Sequence, residues 1–173
     1  FQIPRFVRCY EEDVYHIHLP RGILEDIRQS AKEAGSKVSI IDQRPVPEKL
    51  SFKFLGSLTP SQEQAVQNLL KHEMGVLVAP PGAGKTVMGC LIVAKRSLPT
   101  LILSHRKPIL EQWRVQLTAL LDLSSQQIGQ VGGGRNRRSG IVDVAMIQSL
   151  KSIPDLETFY ADYGLIIVDE CHH

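Results

Sequence analysis

The stretch Val76-Leu77-Val78-Ala79-Pro80-Pro81-Gly82-Ala83-Gly84-Lys85-Thr86 constrains this chain more than any other. Three apolar residues read as a short buried strand, a Pro/Gly turn follows, and Val87 to Lys95 reads as a helix. A strand, a glycine-rich loop ending in Lys-Thr, and a helix, in that order, form the pattern of a phosphate-binding P-loop. Glycine lets successive backbone N–H groups turn inward around phosphate oxygens. The start of the helix adds the positive end of its dipole. On this reading Pro81, Gly82, Ala83, Gly84, Lys85, Thr86 and Val87 surround a nucleotide's phosphates. Lys85 reaches the β- and γ-phosphates, and the Thr86 hydroxyl ligates Mg²⁺. The eight-residue pattern opens on Gly, and this chain has Ala79 there. An ordinary glycine-rich turn would still leave Gly84-Lys85-Thr86 directly before a helix unexplained.

A second signature lies near the other end. Leu165-Ile166-Ile167-Val168 runs into Asp169-Glu170-Cys171-His172-His173. A buried strand ending in two acids can arise by chance; downstream of a P-loop it reads as the other half of a nucleotide site. Asp169 can hold Mg²⁺ directly or through water, and Glu170 can polarise an attacking water. Lys85 and Glu170 are therefore the candidate catalytic pair, with Thr86 and Asp169 as the candidate metal ligands. His172 and His173 suggest a metal pair only superficially, because adjacent side chains diverge on a strand or tight turn.

The chain has 173 residues, 43% hydrophobic, which suits one domain with a real core plus a small appendage. A net charge of +2 carries no global polyanion signal, so any nucleic-acid surface has to come from local clusters. Cys9, Cys90 and Cys171 are odd in number and far apart, which fits neither a disulfide framework nor a zinc site and points to a reducing cytoplasm. No apolar run of about 18 residues exists to span a membrane, and no signal peptide is evident.

Residues 1–55 differ in texture from the rest. Arg5–Tyr10 and Val14–Leu19 read as a hairpin about Glu11-Glu12-Asp13. Ile23, Leu24, Ile27, Ala31 and Ala34 recur at helical spacing, with Gly35 as the stop. Lys37–Ile41 reads as a third strand, Pro45 and Pro47 as a linker, and Ser51–Leu55 as one more strand. The whole is a small α+β subdomain. Its Arg5, Arg8, Arg21, His16 and His18 fit a face turned to nucleic acid and a merely solvated face equally well.

Residues 56–173 read as the main domain. Thr59 and Gln62 form a capping box, with Pro60 at the first helical position, so Gln62 has a full structural explanation. Leu101–Ser104 is a second strand, with His105-Arg106-Lys107 at its C-terminal end and a helix from Pro108. Ligands of α/β sheets bind beyond that edge, which makes Arg106 and Lys107 candidates for phosphate-backbone contacts. Leu110, Trp113, Leu117 and Leu120 share a core stripe, so Trp113 reads as packing rather than as a base-stacking platform. Val131-Gly132-Gly133-Gly134-Arg135-Asn136-Arg137-Arg138 reads as a flexible basic loop. Taken alone it fits a solvated loop as well as a phosphate-binding one; beside a P-loop it points to nucleic acid, with Gly133 and Arg135 as contacts. Ile141–Ile147 is a third strand, interrupted by Asp143, with Gln148 and Ser149 just past its end; Asp155–Tyr163 is a short amphipathic helix.

Over residues 58–173 these motifs resemble superfamily 2 helicases and translocases, specifically the Res subunits of type III restriction enzymes and their relatives. Ala79–Thr86 is similar to motif I, and Asp169-Glu-Cys-His172 to the DExH form of motif II. Leu101–Trp113 is similar to motif Ia, and Gly132-Gly-Gly-Arg135 to the segment after it. Val144–Leu150 is similar to a strand-end motif whose serine contacts a nucleic-acid strand, which implies that role for Gln148 and Ser149. Leu58–Gln62 is similar to the upstream glutamine motif, which implies that Gln62 reads the adenine edge. The wording of Ile128–Gly134 and Asp143–Ser149 also resembles helicase parts of bacterial primase–helicase conflict systems.

The resemblance implies a RecA-like parallel sheet flanked by helices, ATP and Mg²⁺ as ligands, and DNA, or else RNA, as the track. It also implies a second RecA-like domain in a longer chain, and a nuclease, primase or modification partner. Motif III and the arginine finger do not occur before His173, so the chain reads as an N-terminal piece whose sheet lacks a strand between the P-loop strand and the motif II strand. That piece is expected to show a gap in the sheet, partial disorder or a neighbour's contact there, and to turn over very slowly. The alternatives are a nucleotide- or nucleic-acid-binding module with no chemistry of its own, and another P-loop class such as a kinase. Hydrolysis stimulated by nucleic acid separates the kinase from the motor.

Overall fold

The computed structural model describes residues 10–41 and 47–171, which fall into two compact units divided between these two ranges. Most of the strand expected over residues 5–10, with Arg5 and Arg8, lies outside the described residues, as do Pro45, His172, His173 and the side chain of Arg21.

In the smaller unit, β1 (Glu11–Glu12) pairs antiparallel with β2 (Ile17–His18). The expected hairpin forms, but Glu11 and Glu12 belong to a strand rather than to the turn. Asp13 makes the turn: its Oδ1 accepts the backbone N–H of Tyr15 at 2.7 Å and of His16 at 2.8 Å. The same two bonds hold the Asp13 carboxyl below its ordinary value. Helix α1 (Leu24–Glu33) follows a 3-10 turn and ends as its glycine requires. Gly35 sits at φ +68°, its N–H donates to Lys32 O at 3.1 Å, and Ser36 N–H donates to Ala31 O at 2.8 Å. The strand expected over Lys37–Ile41 does not form. No described residue of this unit is buried, so the alternation there has no core to join, and it does not pair with the two-stranded β1–β2 sheet.

In the larger unit, β3 (Thr100–Ser104), β4 (Ile128–Gly132), β5 (Arg135–Arg137), β6 (Val142–Met146) and β7 (Leu165–Val168) form one sheet in the order β5-β4-β6-β3-β7. β4, β6, β3 and β7 are parallel, and β5 alone runs antiparallel, against β4. Helices α3 (Lys85–Arg96) and α4 (Lys107–Leu121) cover one face, where Cys90, Val93, Trp113 and Leu117 pack on Ile102 and Val144. Beyond β6, the short helices α5 (Ile147–Leu150) and α6 (Leu156–Ala161) bring Leu150, Phe159 and Tyr163 onto Leu101, Leu103 and Ala145 of the other face. Every residue of β3 is buried, as a strand covered on both faces requires. This is the α/β, helix-flanked parallel sheet that the motifs imply. No helix among the described residues is long and apolar enough to cross a membrane.

Helix α2 (Pro60–Leu70) starts on the expected capping box. Residues 47–55, grouped with the small subdomain on sequence, sit against the larger unit. Leu50 N–H donates to Ser97 O and Leu55 N–H to Leu120 O, both at 2.8 Å, while Phe52 and Phe54 pack on the α3–α4 side of the core. The alternation of Ser51–Leu55 serves this packing, and no strand forms there.

Two further expectations change. The basic loop is an ordered hairpin of β4 and β5, in which Gly132 pairs with Arg135. Gly133 and Gly134 turn it at φ +63° and +92°, the double left-handed geometry of a tight two-residue turn. Val76–Val78 forms no strand: Val76 is 74% and Val78 89% exposed. On that side the sheet ends at β7, whose Ile166 and Val168 are half-exposed. A strand persists only when a neighbour takes its N–H and C=O groups, and among the described residues no strand pairs with the outer side of β7. The strand expected for the P-loop is absent, and the sheet has an open edge at β7.

Candidate functional site

The P-loop is shaped before any ligand enters it. Gly82 and Gly84 sit at φ +79° and +80°, which L side chains rarely adopt. A Cβ on Gly84 would stand 2.6 Å from the Gln62 amide nitrogen. Gln62 closes the capping box through Oε1, which accepts Thr59 N–H at 2.9 Å, and its Nε2 donates to Ala83 O at 2.9 Å. One residue thus caps the start of a helix and braces the loop.

Helix α3 begins at Lys85 with no acidic residue in its first turn and no side chain capping it. Its leading N–H groups are therefore left to an anion. Lys85 Nζ reaches back across the loop to Ala79 O at 3.1 Å. Pro81 and Gly82 are exposed at the mouth, whereas Ala83, Thr86 and Val87 are partly buried around it. These features fit a triphosphate: a glycine cradle, a free helix start and an ammonium at its lip.

The acids arrive from the adjoining strand. Asp169 is tied down by its N–H to Leu103 O at 2.9 Å, and its Oδ2 accepts the Trp113 indole N–H at 2.7 Å. Glu170 takes φ +56°, a left-handed backbone uncommon for a residue with a side chain, of the kind that clusters at functional sites. Its Oε1 lies 3.9 Å from Lys85 Nζ. The two signatures, remote in sequence, therefore meet side chain to side chain. Among the described residues no three His, Cys, Asp or Glu side chains gather into a closed metal site. A hydroxyl and a carboxylate beside phosphate oxygens suit magnesium, a hard ion that keeps several waters.

The candidate nucleic-acid residues converge as well. β3, β4, β6 and β7 all end on the same edge of the sheet. There Gln148 Nε2 donates to His105 O at 3.0 Å. A Cβ on Gly132 would stand 2.2 Å from Ser149 Oγ, and one on Gly133 3.6 Å from Lys107 Cγ. Lys107 at the start of α4, Gly133 in the β4–β5 turn, and Gln148 and Ser149 on α5 thus form one patch. Arg106, exposed, immediately precedes α4 beside Lys107. Arg135 instead lines a groove of about 400 Å³ with Arg114, Gln130, Asn136 and Arg137.

The sequence reading placed Trp113 in the core, where it is 3% exposed, but missed its bond to Asp169. Helical spacing reports which face a residue is on and not what its polar edge meets.

Residues 55–173 match the family model described as type III restriction enzyme, res subunit. The chain is 38% identical over 122 residues to the DNA 3'-5' helicase XPB of Kineococcus radiotolerans, covering 67% of this chain and 22% of that protein. It is 30% identical over 142 residues to the DNA 3'-5' translocase XPB2 of Sulfurisphaera tokodaii, covering 82% of this chain and 30% of that one. The chain therefore spans between a fifth and a third of these relatives. Among solved structures, the UvsW helicase of bacteriophage T4 superposes with a TM-score of 0.69 at 20% identity, over 92% of this chain and 64% of that one, a likeness of fold.

Proposed function

This chain belongs to the family of type III restriction enzyme Res subunits, and from that premise we propose that it is the ATP-binding part of a DNA translocase or helicase of superfamily 2. The observation that carries the reading is the 3.9 Å approach of Lys85 to Glu170 beside the anchored Asp169. Lys85 and the α3 start receive the β- and γ-phosphates of ATP. Thr86 and Asp169 would hold magnesium, which supplies neutralisation of the charge that builds up on the phosphates. Glu170 orients a water toward the terminal phosphate and accepts its proton. Gln62, already bracing the loop, contacts the adenine edge. Arg106, Lys107, Gly133, Arg135, Gln148 and Ser149 hold the sugar–phosphate backbone of one DNA strand, which favours contact independent of sequence. DNA rather than RNA is supported by the printed names of the relatives. Their greater length also supports a second RecA-like domain supplying an arginine finger, worth about 10³–10⁵ in rate.

A second reading is a nucleotide-binding module that turns over nothing by itself. The strandless Val76–Val78 and the open β7 edge favour it for this chain in isolation.

Lys85→Ala in the intact protein is the test. DNA-stimulated phosphate release should drop about 10²-fold or more, and the thermal shift produced by Mg-ATP should vanish. Hydrolysis at the wild-type rate would end the motor assignment. A wild-type chain that shows the thermal shift but no release, while the intact protein releases phosphate, is the module of the second reading.

A further inference from the structure

We infer that Trp113 is a positioning residue of the nucleotide site: its indole N–H sets the orientation in which Asp169 meets magnesium. The inference rests on the reading of Asp169 as a magnesium-holding carboxylate.

Trp113 is 3% exposed, and its N–H can only donate, so a partner is obligatory. The partner is Asp169 Oδ2 at 2.7 Å, the short distance of a hydrogen bond to an ionised acceptor. The far side of the ring is fixed too. A Cβ on Gly89 would stand 2.5 Å from Trp113 Cη2, so the six-membered ring lies directly against the P-loop helix α3. Gly89 is one turn beyond Lys85 on that helix, which places both on neighbouring parts of the same face. The indole is thus a rigid spacer, packed on the helix that carries the phosphate-binding lysine and hydrogen-bonded to the acid opposite.

A carboxylate at a strand tip has two rotatable bonds and about four lone-pair directions. Engaging one oxygen fixes the rotamer and leaves the other lone pairs to a metal or its waters. Partners of this kind, one step removed from the metal, are worth about 10–100-fold in its affinity. Trp113 also lies on the helix that begins beside Arg106 and Lys107.

The test separates the N–H from the ring. In Trp113→Phe the donor is lost together with the outer six-membered ring that packs on Gly89, so this protein reads both losses at once. Replacing the tryptophan by its benzothienyl analogue, with sulfur in place of N–H, keeps the ring shape entirely. Binding of a fluorescent ADP analogue to the intact protein is measured against magnesium concentration and again in EDTA, with a thermal melt alongside. Both proteins should need about 10–100-fold more magnesium for half-saturation. Affinity in EDTA and the melting temperature of the benzothienyl protein should stay as in the wild type. An unchanged magnesium requirement in the benzothienyl protein overturns the inference, whether or not Trp113→Phe folds. In the benzothienyl protein a fall in affinity equal with and without magnesium also overturns it, since that is the mark of packing alone. Wild-type nucleotide binding by Lys85→Ala would strike the nucleotide site itself, a separate failure.

Discussion

Asp143 on β6 and Asp169 just past β7 flank strand β3 on either side, and their surroundings differ in kind. Asp143 is fully buried. It accepts Ser139 N–H and Ser139 Oγ–H at 2.7 Å, the Tyr163 hydroxyl at 2.6 Å and Gly140 N–H at 3.4 Å. Gly129 on β4 leaves the space for it, since a Cβ there would stand 1.9 Å from Asp143 Oδ1. Asp169 is partly exposed and takes one side-chain donor among the described residues, the Trp113 indole. A carboxylate wrapped in donors has its bonding capacity consumed by the fold. A strand-tip carboxylate steadied by one donor keeps that capacity for a ligand. The same residue type on the two strands that flank β3 is thus consumed by the fold in one place and left open to a ligand in the other.

Substitution at the chemical end should give the largest effect. Glu170→Gln, beside Asp169, is expected to lower DNA-stimulated ATP hydrolysis about 10²–10⁴-fold, the usual worth of a positioned base. Nucleotide binding and the melting temperature should hold. Loss of stability without loss of rate would mean that the tip acids serve the fold, and the contrast with Asp143 would break. The mirror experiment is Asp143→Ala. It strands the Tyr163 hydroxyl and Ser139 N–H in a buried site, at a cost of about 1–3 kcal/mol each. Denaturant unfolding should register the loss, while the magnesium requirement of the folded fraction stays put. A changed magnesium requirement with unchanged stability would invert the comparison.

How much of this was readable beforehand follows the same division. Asp169 and Glu170 were legible because a run of apolar residues into two acids is a local pattern, as is Gly84-Lys85-Thr86 before a helix. β7 and the core of β3 were legible for the same reason, and the Thr59–Gln62 box was written in four residues. Asp143 read as an interruption of its strand because its partners come from Ser139, Gly140 and Tyr163, and only the fold brings Tyr163 to it. The β4–β5 hairpin was not legible although Gly133-Gly134 is its turn, since glycines and arginines together suit a flexible phosphate-binding loop equally well. Val76–Val78 misled in the opposite direction. Three apolar residues state a preference for burial, but pairing is a property of the neighbours, and the sheet stops at β7. Trp113 shows the limit most plainly, because spacing located its ring and could not locate its hydrogen bond.

The smallest expected effect examines the buried end one donor at a time. Tyr163→Phe removes a hydroxyl that donates to Asp143 at 2.6 Å and accepts the Arg138 Nε–H at 3.2 Å, and leaves the ring packed against Phe159. Loss of one hydrogen bond to a charged group should cost about 1.5–3 kcal/mol, less than Asp143→Ala, with nucleotide binding untouched. Burial first, and then the Asp143 carboxylate it bonds, push the Tyr163 phenol above its ordinary value of 10.0. A group whose folded value is raised stabilises the fold fully below its unfolded value, and that contribution fades as pH rises toward the folded one. Wild-type stability should therefore fall above about pH 10 by an increment that Tyr163→Phe does not share. Denaturant unfolding at pH 8 and pH 11 measures it. Parallel losses in the two proteins would mean that the phenol ionises as freely in the fold as outside it, and that Asp143 is not closed off from solvent in the way that sets it apart from Asp169.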